Sequence, residues 1–334
     1  MYGHPKEVLI MVRIPQKMKS KKYWIDTLWA YIYLLPAFII LGLFNFYPVV
    51  KSIYMSFFDW SLLRQEQFFI GFQNYQKLMA DNTFRQAIIN TSTYVVLYVP
   101  LTIGLALFVA VLLNSKIKFR GAYRLAFFIP WITSPVAASM VWRWIYNHHY
   151  GLLNMIITSI ANNLNTIISF LSFGKFTDVF QFTNINWLMD PKWTIPNIVM
   201  IGVWKYMGYN VVIFLAGLQN VPQDIYEAAE VDGATSWQKF WKVTLPLISP
   251  TTFFVSIISI IGAFKLFTEI YVLYTGRPGP LNSGMTIVYY VYRMAFERYR
   301  MGYASAAAYI LFGIIFIFTL IQMSAAKKKV HYSS

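Results

Sequence analysis

The sequence predicts an all-α, polytopic membrane protein with six transmembrane helices, and three observations predict it. Of its 334 residues, 57% are hydrophobic and only 12% charged, against about 45–50% and 25% in soluble globular chains. Aromatic residues reach 19%, which suits helices anchored at lipid–water boundaries. Apolar runs of the length needed to cross a bilayer, about 20 residues, recur at 29–50, 90–113, 124–146, 194–218, 250–274 and 304–323. The net charge of +15 also suits a nucleic-acid binder, but such a protein carries its basic residues on a soluble domain. Here they flank apolar runs, so the implied partner is the lipid bilayer, with no nucleic acid. Cysteine is absent, which removes disulfides and thiolate metal sites.

Taken in order, residues 1–28 carry Lys6, Arg13, Lys17, Lys19, Lys21 and Lys22. They contain no apolar core followed by a small-residue cleavage site, and so read as a basic cytosolic tail. The membrane domain follows over 29–323. The link between the second and third spans holds Lys116, Lys118 and Arg120, and Arg124 opens the third. The tail 324–334 holds Lys327, Lys328 and Lys329. Because cytoplasmic loops are enriched in Lys and Arg, both termini are expected inside the cell. Residues 51–89, 147–193 and 275–303 are then outside, and 219–249 inside. Pro36, Pro100, Pro130, Pro135 and Pro196 fall within the spans and predict kinked helices packed against protein. Four scattered histidines make no metal site, and no metal is expected.

The inner segment between the fourth and fifth spans is built differently from a loose loop. Pro222 is placed to start a helix, since its missing N–H would be unsatisfied there anyway. Ile225, Ala228 and Ala229 give that helix an apolar, small-residue face, while Asp224, Glu227, Glu230 and Asp232 keep the rest wet. Gly233 suits the left-handed position that ends helices. Thr235 and Gln238 have capping-box spacing, which starts a second helix carrying Trp237, Phe240 and Trp241 until Leu245-Pro246 breaks it. The pair of helices, over 222–245, forms a rigid elbow between two spans. An amphipathic segment there is either a helix lying on lipid or a docking surface for a protein. Four acids against Lys239 and Lys242 point to a protein partner, because anionic headgroups repel acids.

Glu227-Ala228-Ala229, three residues, Gly233, nine residues, then Val243-Thr244-Leu245-Pro246 resembles the EAA motif of bacterial ABC-importer permeases, with Val where Ile is usual. Further stretches are similar to the carbohydrate-uptake branch of maltose, glycerol-phosphate and multiple-sugar type. They are Phe46-Tyr47-Pro48, Tyr54-Met55-Ser56-Phe57, Gly71-Phe72-Gln73-Asn74-Tyr75, Tyr150-Gly151-Leu152-Leu153-Asn154 and Gly302-Tyr303-Ala304-Ser305-Ala306. Where relatives often carry a Gly-Gly-Gly-Pro turn, this chain has Gly276-Arg277-Pro278-Gly279-Pro280.

The resemblance implies the type I ABC importer permease fold, working by alternating access in a bacterial plasma membrane. It implies a second homologous permease subunit, an ABC ATPase dimer and an extracytoplasmic solute-binding protein as partners. ATP and Mg would be bound by the partner ATPase, with no cofactor in this chain. It also implies ATPase coupling through Glu227, Ala228, Ala229, Asp232, Gly233, Leu245 and Pro246. No phosphate-binding loop of the form GxxxxGK[ST] occurs in the sequence, and no nucleophilic triad, so a transport subunit rather than an enzyme is expected.

Lys205, Lys265 and Glu269 fall within spans, where a charge costs about 2.5–3.5 kcal/mol on insertion scales. Lys265 and Glu269, four apart, are expected to pair on one helix face. Two readings stand for these charges. Either they line a hydrated solute path with Trp204, Tyr206, Tyr209, Asn210 and Tyr271, whose rings and polar groups suit a sugar, or they form an ion pair that locks helices while the aromatics anchor at the interface. A carrier driven by an ion gradient would use the same three charges, but leaves residues 226–246 without a role.

Overall fold

The computed structural model describes residues 21–64, 66–115, 117–172 and 184–329. Lys6, Arg13, Lys17, Lys19, Lys116 and Lys175 lie outside the described residues, as do the side chains of Lys21, Lys327, Lys328 and Lys329. The chain divides into two compact units at Tyr54/Met55.

The described part of the first unit, from Lys21, is one continuous helical run. Helix α1 (Lys21–Leu41) passes through a π-helical turn (Gly42–Phe46) into α2 (Tyr47–Ser56). The widened turn has a local cause. Pro48 has no N–H for the Phe44 carbonyl, and the ladder slips just before it, with Tyr47 N–H bonding the Gly42 carbonyl. Its apolar side chains are exposed almost throughout, as lipid-facing helices are.

The second unit opens with a small antiparallel hairpin, β1 (Phe58–Asp59) and β2 (Phe68–Phe69), and helix α3 (Gln73–Ala80). Helix α4 (Asn82–Asn114) is capped by Asp81, whose carboxylate accepts the Thr83 and Phe84 N–H groups at 2.7 and 3.2 Å. Helix α5 (Arg120–Ile132) leads into α6 (Pro135–Ile145), then α7 (Leu152–Leu171) and the long α8 (Pro191–Gln219). Asp190 caps α8, and Pro191 takes its first position. The elbow comprises α9 (Gln223–Val231), α10 (Ser236–Lys239), a π-helical turn (Phe240–Thr244) and α11 (Leu245–Leu247). Then come α12 (Ser249–Phe264), α13 (Thr268–Leu273), α14 (Ile287–Tyr292) and α15 (Met301–Lys329).

Helices α4 and α8 run side by side through the unit. Near the elbow, Ala106, Ala110 and Leu113 pack against Val211, Phe214 and Leu218, with Ile248 and Val255 behind them. At the other end, Phe84, Tyr94 and Tyr98 meet Ile198, Phe264, Ile270 and Tyr289. Small residues set the closest approaches. At Gly208 an added methyl would collide with the Phe127 carbonyl of α5, so α5 and α8 touch backbone to backbone there.

Among the described residues four helices are long and apolar enough to cross a membrane, and counting each of two bent pairs as one span gives six. Kinked spans are expected from the prolines, and in the bent pairs the kink becomes a break. The third span, expected as one run over 124–146, is two helices, α5 and α6, bent by 98°. Pro135 supplies the reason, since it lacks an N–H and keeps Ser134 extended, at ψ 132°. The fifth span, expected over 250–274, ends at Phe264, and the chain turns through Lys265, Leu266 and Phe267 before α13. The Leu266 carbonyl, freed by that turn, accepts the Thr286 hydroxyl at 2.8 Å. The elbow also breaks later than expected. Pro246 lies inside α11, and the 68° bend falls at Ile248, one residue before α12 with Pro250 in its first turn.

Candidate solute path and coupling elbow

The break in the third span creates a chemical problem that Lys205 solves. A helix ending inside a bilayer leaves its last carbonyls without donors. The Lys205 ammonium, from the middle of α8, donates to the Pro130 carbonyl at 3.3 Å, to that of Trp131 at 3.5 Å, and to that of Thr133. The residue is 2% exposed. Lys205 is therefore a backbone cap, and it does not line the neighbouring cavity.

That cavity, about 370 Å³, lies between α4, α5, α8, α12 and the turn before α13. Its apolar walls are flat rings. Trp131 stacks on Tyr209 at 4.9 Å with planes 14° apart, and Tyr94 stacks on Tyr98 at 5.0 Å and 9°. Polar groups interrupt them. The Tyr206 hydroxyl donates to Glu269 at 2.8 Å, and the Asn210 amide donates to Ser259 at 3.3 Å. Lys265 lies on the same wall and is exposed.

The expected pairing of Lys265 with Glu269 does not occur. With the helix broken between them, the two are no longer one turn apart on a common face, and Glu269, 5% exposed, turns to Tyr206. Lys205, Lys265 and Glu269 thus form no single relay. Lys205 serves backbone carbonyls, and Glu269 and Lys265 sit on the cavity wall.

Of the eight residues expected along a solute path, five line the cavity: Tyr206, Tyr209, Asn210, Lys265 and Glu269. Trp204 points elsewhere, edge-on to Trp142 at 5.8 Å. Tyr271 sits in a separate ring cluster with Phe267, Tyr289 and Tyr292. The other lining residues, among them Tyr94, Tyr98, Trp131 and Ser259, escaped the sequence reading. The spacing of Tyr94 and Tyr98, four apart on one helix face, was the available signal.

At the far end of α8 the elbow is built from nested caps. The Ala234 N–H bonds the Ala229 carbonyl at 2.9 Å and the Gly233 N–H bonds that of Glu230 at 3.0 Å, the paired bonds of a Schellman ending. Gly233 takes the left-handed conformation, at φ +76°. Two residues later the Thr235 and Gln238 side chains close a capping box on α10. Two side-chain bonds brace the angle between the helices. Lys239 meets Glu230 at 2.6 Å, and Tyr226 meets Thr244 at 3.1 Å. The hydrogen bond from Lys239, with its charge, holds the Glu230 carboxyl below its usual range. Glu227, Ala228, Asp232 and Gly233 are exposed, Ala229 is half-buried, and Leu245 and Pro246 lie half-buried in α11. Val231 and Trp237 add exposed apolar surface beside the acids, at 88% and 70%.

A bundle of membrane-length helices, broken around a ring-lined cavity and ending in a stiff surface elbow, has the build of a transport subunit. The chain belongs to the family described as binding-protein-dependent transport system inner membrane component, which matches residues 78–330. It is 37% identical over 295 residues to the arabinooligosaccharides transport system permease protein AraP of Halalkalibacterium halodurans, covering 88% of this chain and 86% of that protein. It is 31% identical over 311 residues to the lactose transport system permease protein LacF of Rhizobium radiobacter, covering 92% and 97%. Among solved structures, it is similar to a chain of a bacterial alginate ABC transporter crystallised with an alginate pentasaccharide-bound periplasmic protein. There the TM-score is 0.74 at 24% identity, covering 93% of this chain and 99% of that one. The fold is accordingly that of a type I ABC importer permease, an all-α, multi-pass membrane protein.

Proposed function

We propose that this chain is one permease subunit of an ATP-driven importer that carries a sugar or oligosaccharide, or a related polyol or sugar phosphate, by alternating access. The observation that carries the reading is the elbow: an acidic, internally capped pair of helices whose ends are fused to α8 and, through α11, to α12. Both of those helices wall the cavity. Names of relatives that carry arabinooligosaccharides and lactose support the solute class. So do the cavity's stacked rings and amide, hydroxyl and carboxylate groups, which match the C–H faces and hydroxyls of a sugar.

In this reading Glu227 meets a basic residue of an ABC ATPase dimer, Ala228 and Ala229 allow close packing, and Gly233 makes the turn. Asp232 belongs to the same acidic docking surface. Leu245 and Pro246 join the elbow to the span. ATP and Mg belong to the ATPase. A second homologous permease completes the membrane pore, and an extracytoplasmic binding protein delivers the solute. The membrane is a bacterial plasma membrane, with both termini in the cytoplasm.

The test is uptake of labelled oligosaccharide by proteoliposomes holding the purified transporter. Glu227→Lys is expected to lower uptake at least tenfold and to release the ATPase, while the permease still inserts. Undiminished uptake by Glu227→Lys, or uptake driven by an ion gradient with no ATPase present, would refute the reading.

A further inference from the structure

Helix α7 is a long helix outside the six membrane-length spans, and the fold leaves its apolar face uncovered among the described residues. It runs from Leu152 to Leu171 without a single charged residue. At 1.5 Å per residue it is about 30 Å long. On a helical projection most of its apolar residues fill one arc, with Asn163 near its edge; Ser159, Asn162 and Thr166 stand exposed beside it, while Asn154 is buried and Thr158, Asn165 and Ser169 are half-buried. The apolar arc is exposed: Ile156 by 46%, Ile160 by 54%, Leu164 by 41%, Ile167 by 54%, Phe170 by 83% and Leu171 by 70%.

Its position is fixed at one end. Asn154, 3% exposed, donates to the carbonyls of His148 and Ile185 at 3.1 and 3.0 Å, and accepts from the Trp187 indole at 2.8 Å. This bolts the first turn of α7 to the chain entering α8. The bolt lies at the end of the bundle opposite the elbow, where α6 ends at Ile145 and α8 begins at Pro191. There α6 presents Met140, Val141 and Trp144 outward, each more than half exposed, as part of the bundle's lipid-facing surface.

We propose that α7 lies flat in the lipid–water interface of the leaflet opposite the elbow, its apolar arc in the acyl boundary and its amide and hydroxyl side in water. Three features favour lipid over a protein partner. The arc belongs to a helix that touches α6, itself exposed at Met140, Val141 and Trp144. It carries aliphatic residues with one terminal Phe, and none of the Trp, Tyr and Arg anchors that concentrate in protein interfaces. The helix needs no charge to find the membrane, since the flanking spans tether it there. Interfacial helices of peripheral proteins recruit themselves with Lys and Arg, whereas α7 has neither. Its contact with lipid is therefore apolar, indifferent to salt and to anionic headgroups.

The absence of cysteine makes the test direct. Single cysteines at Ile160, Ile167, Asn162 and Thr166, all exposed and each spin-labelled in the intact transporter in phospholipid nanodiscs, report depth by their accessibility to oxygen and to a water-soluble nickel chelate. Labels at 160 and 167 are expected to favour oxygen over nickel several-fold more than labels at 162 and 166. Replacing phosphatidylglycerol by phosphatidylcholine should leave that contrast unchanged. Equal nickel access on both faces would place the helix in water and overturn the proposal. So would labels at 160 and 167 shielded from both reagents, which would mean that residues 173–183, a second permease or a binding protein covers the arc.

Discussion

Replacing Lys205 by Met tests the account of the broken third span most sharply. The two side chains are similar in length, so the substitution removes the ammonium while leaving most of the packing. What is lost is a donor to three carbonyls at the end of α5, those of Pro130, Trp131 and Thr133. Leaving a buried acceptor unpaired costs about 1–3 kcal/mol. The Trp131 bond, at 3.5 Å, is the longest and counts least, so the two shorter bonds set a loss of about 2–6 kcal/mol. Against this, a buried ammonium no longer has to be desolvated, which returns part of the loss. The net expectation is a destabilisation of about 2–4 kcal/mol, read as a melting temperature lower by roughly 3–6 °C in detergent. Glu269 interacts electrostatically with Lys205, so adding Glu269→Gln should recover part of the loss. A double-mutant cycle with thermal melting measures that coupling. If Lys205→Met melts like the parent while weakening solute affinity, Lys205 is a solute contact and the capping argument is wrong.

Other expectations are simpler. Gly208→Ala places a methyl against the Phe127 carbonyl; forcing α5 away from α8 should cost about 1–3 kcal/mol or more and reduce the yield of folded protein on size-exclusion chromatography, while Gly104→Ala, with nothing near its added methyl, should leave the yield unchanged. At the opposite end, Asp81 is pushed up by burial but held lower overall by hydrogen bonds from Tyr290, the Phe84 and Thr83 N–H groups and Tyr303. Its folded value therefore lies below the unfolded value near about 3.9, so its contribution is complete above that value and fades as pH falls through the folded one. Melting followed from pH 6 to pH 3 should show a decline that Asp81→Asn flattens. In the elbow, Lys239→Met removes the brace to Glu230 at 2.6 Å. Glu230 stands in solvent while the Lys239 side chain is only 20% exposed, so melting should fall only slightly, while the ratio of solute moved to ATP hydrolysed in proteoliposomes should fall.

The features that could be read in advance were those governed by local rules. Pro222, Gly233 and the Thr235–Gln238 pair each answer to a backbone requirement within a few residues, and the structure places a helix start, a left-handed turn and a capping box there. Long apolar runs likewise need no partner to be recognised. The features that could not be read depend on distant chain. Nothing between Lys265 and Phe267 is a Pro or Gly, and the helix breaks there where Thr286, far along the sequence, takes up the freed Leu266 carbonyl. Proline gave a mixed signal for a related reason. Pro36, Pro100 and Pro196 sit inside helices that continue, whereas Pro135 coincides with the 98° bend, where Lys205 supplies the missing donor. The cavity was half visible, because which face of α4 carries its tyrosines inward is decided by the neighbours that helix packs on.

On the proposed reading the elbow and the cavity belong to one device, because the same two helices serve both. Tyr206, Tyr209 and Asn210 on α8, and Ile258, Ser259, Gly262 and Ala263 on α12, form facing parts of the cavity wall. Gln219 at the end of α8 and Ser249 at the start of α12 are the two roots of the elbow. A flexible loop there would let the two helices move independently. The elbow has instead a Schellman ending, a capping box and two side-chain braces in fewer than thirty residues, so its roots are held at a set spacing. Displacing it as a body must carry both helices, and the opposite wall of the cavity is α4 with the Lys205-capped end of α5. On the proposed reading, a push at Glu227 and Gly233 would be carried through α8 and α12 to the cavity wall that Tyr206, Tyr209, Asn210 and Ser259 form.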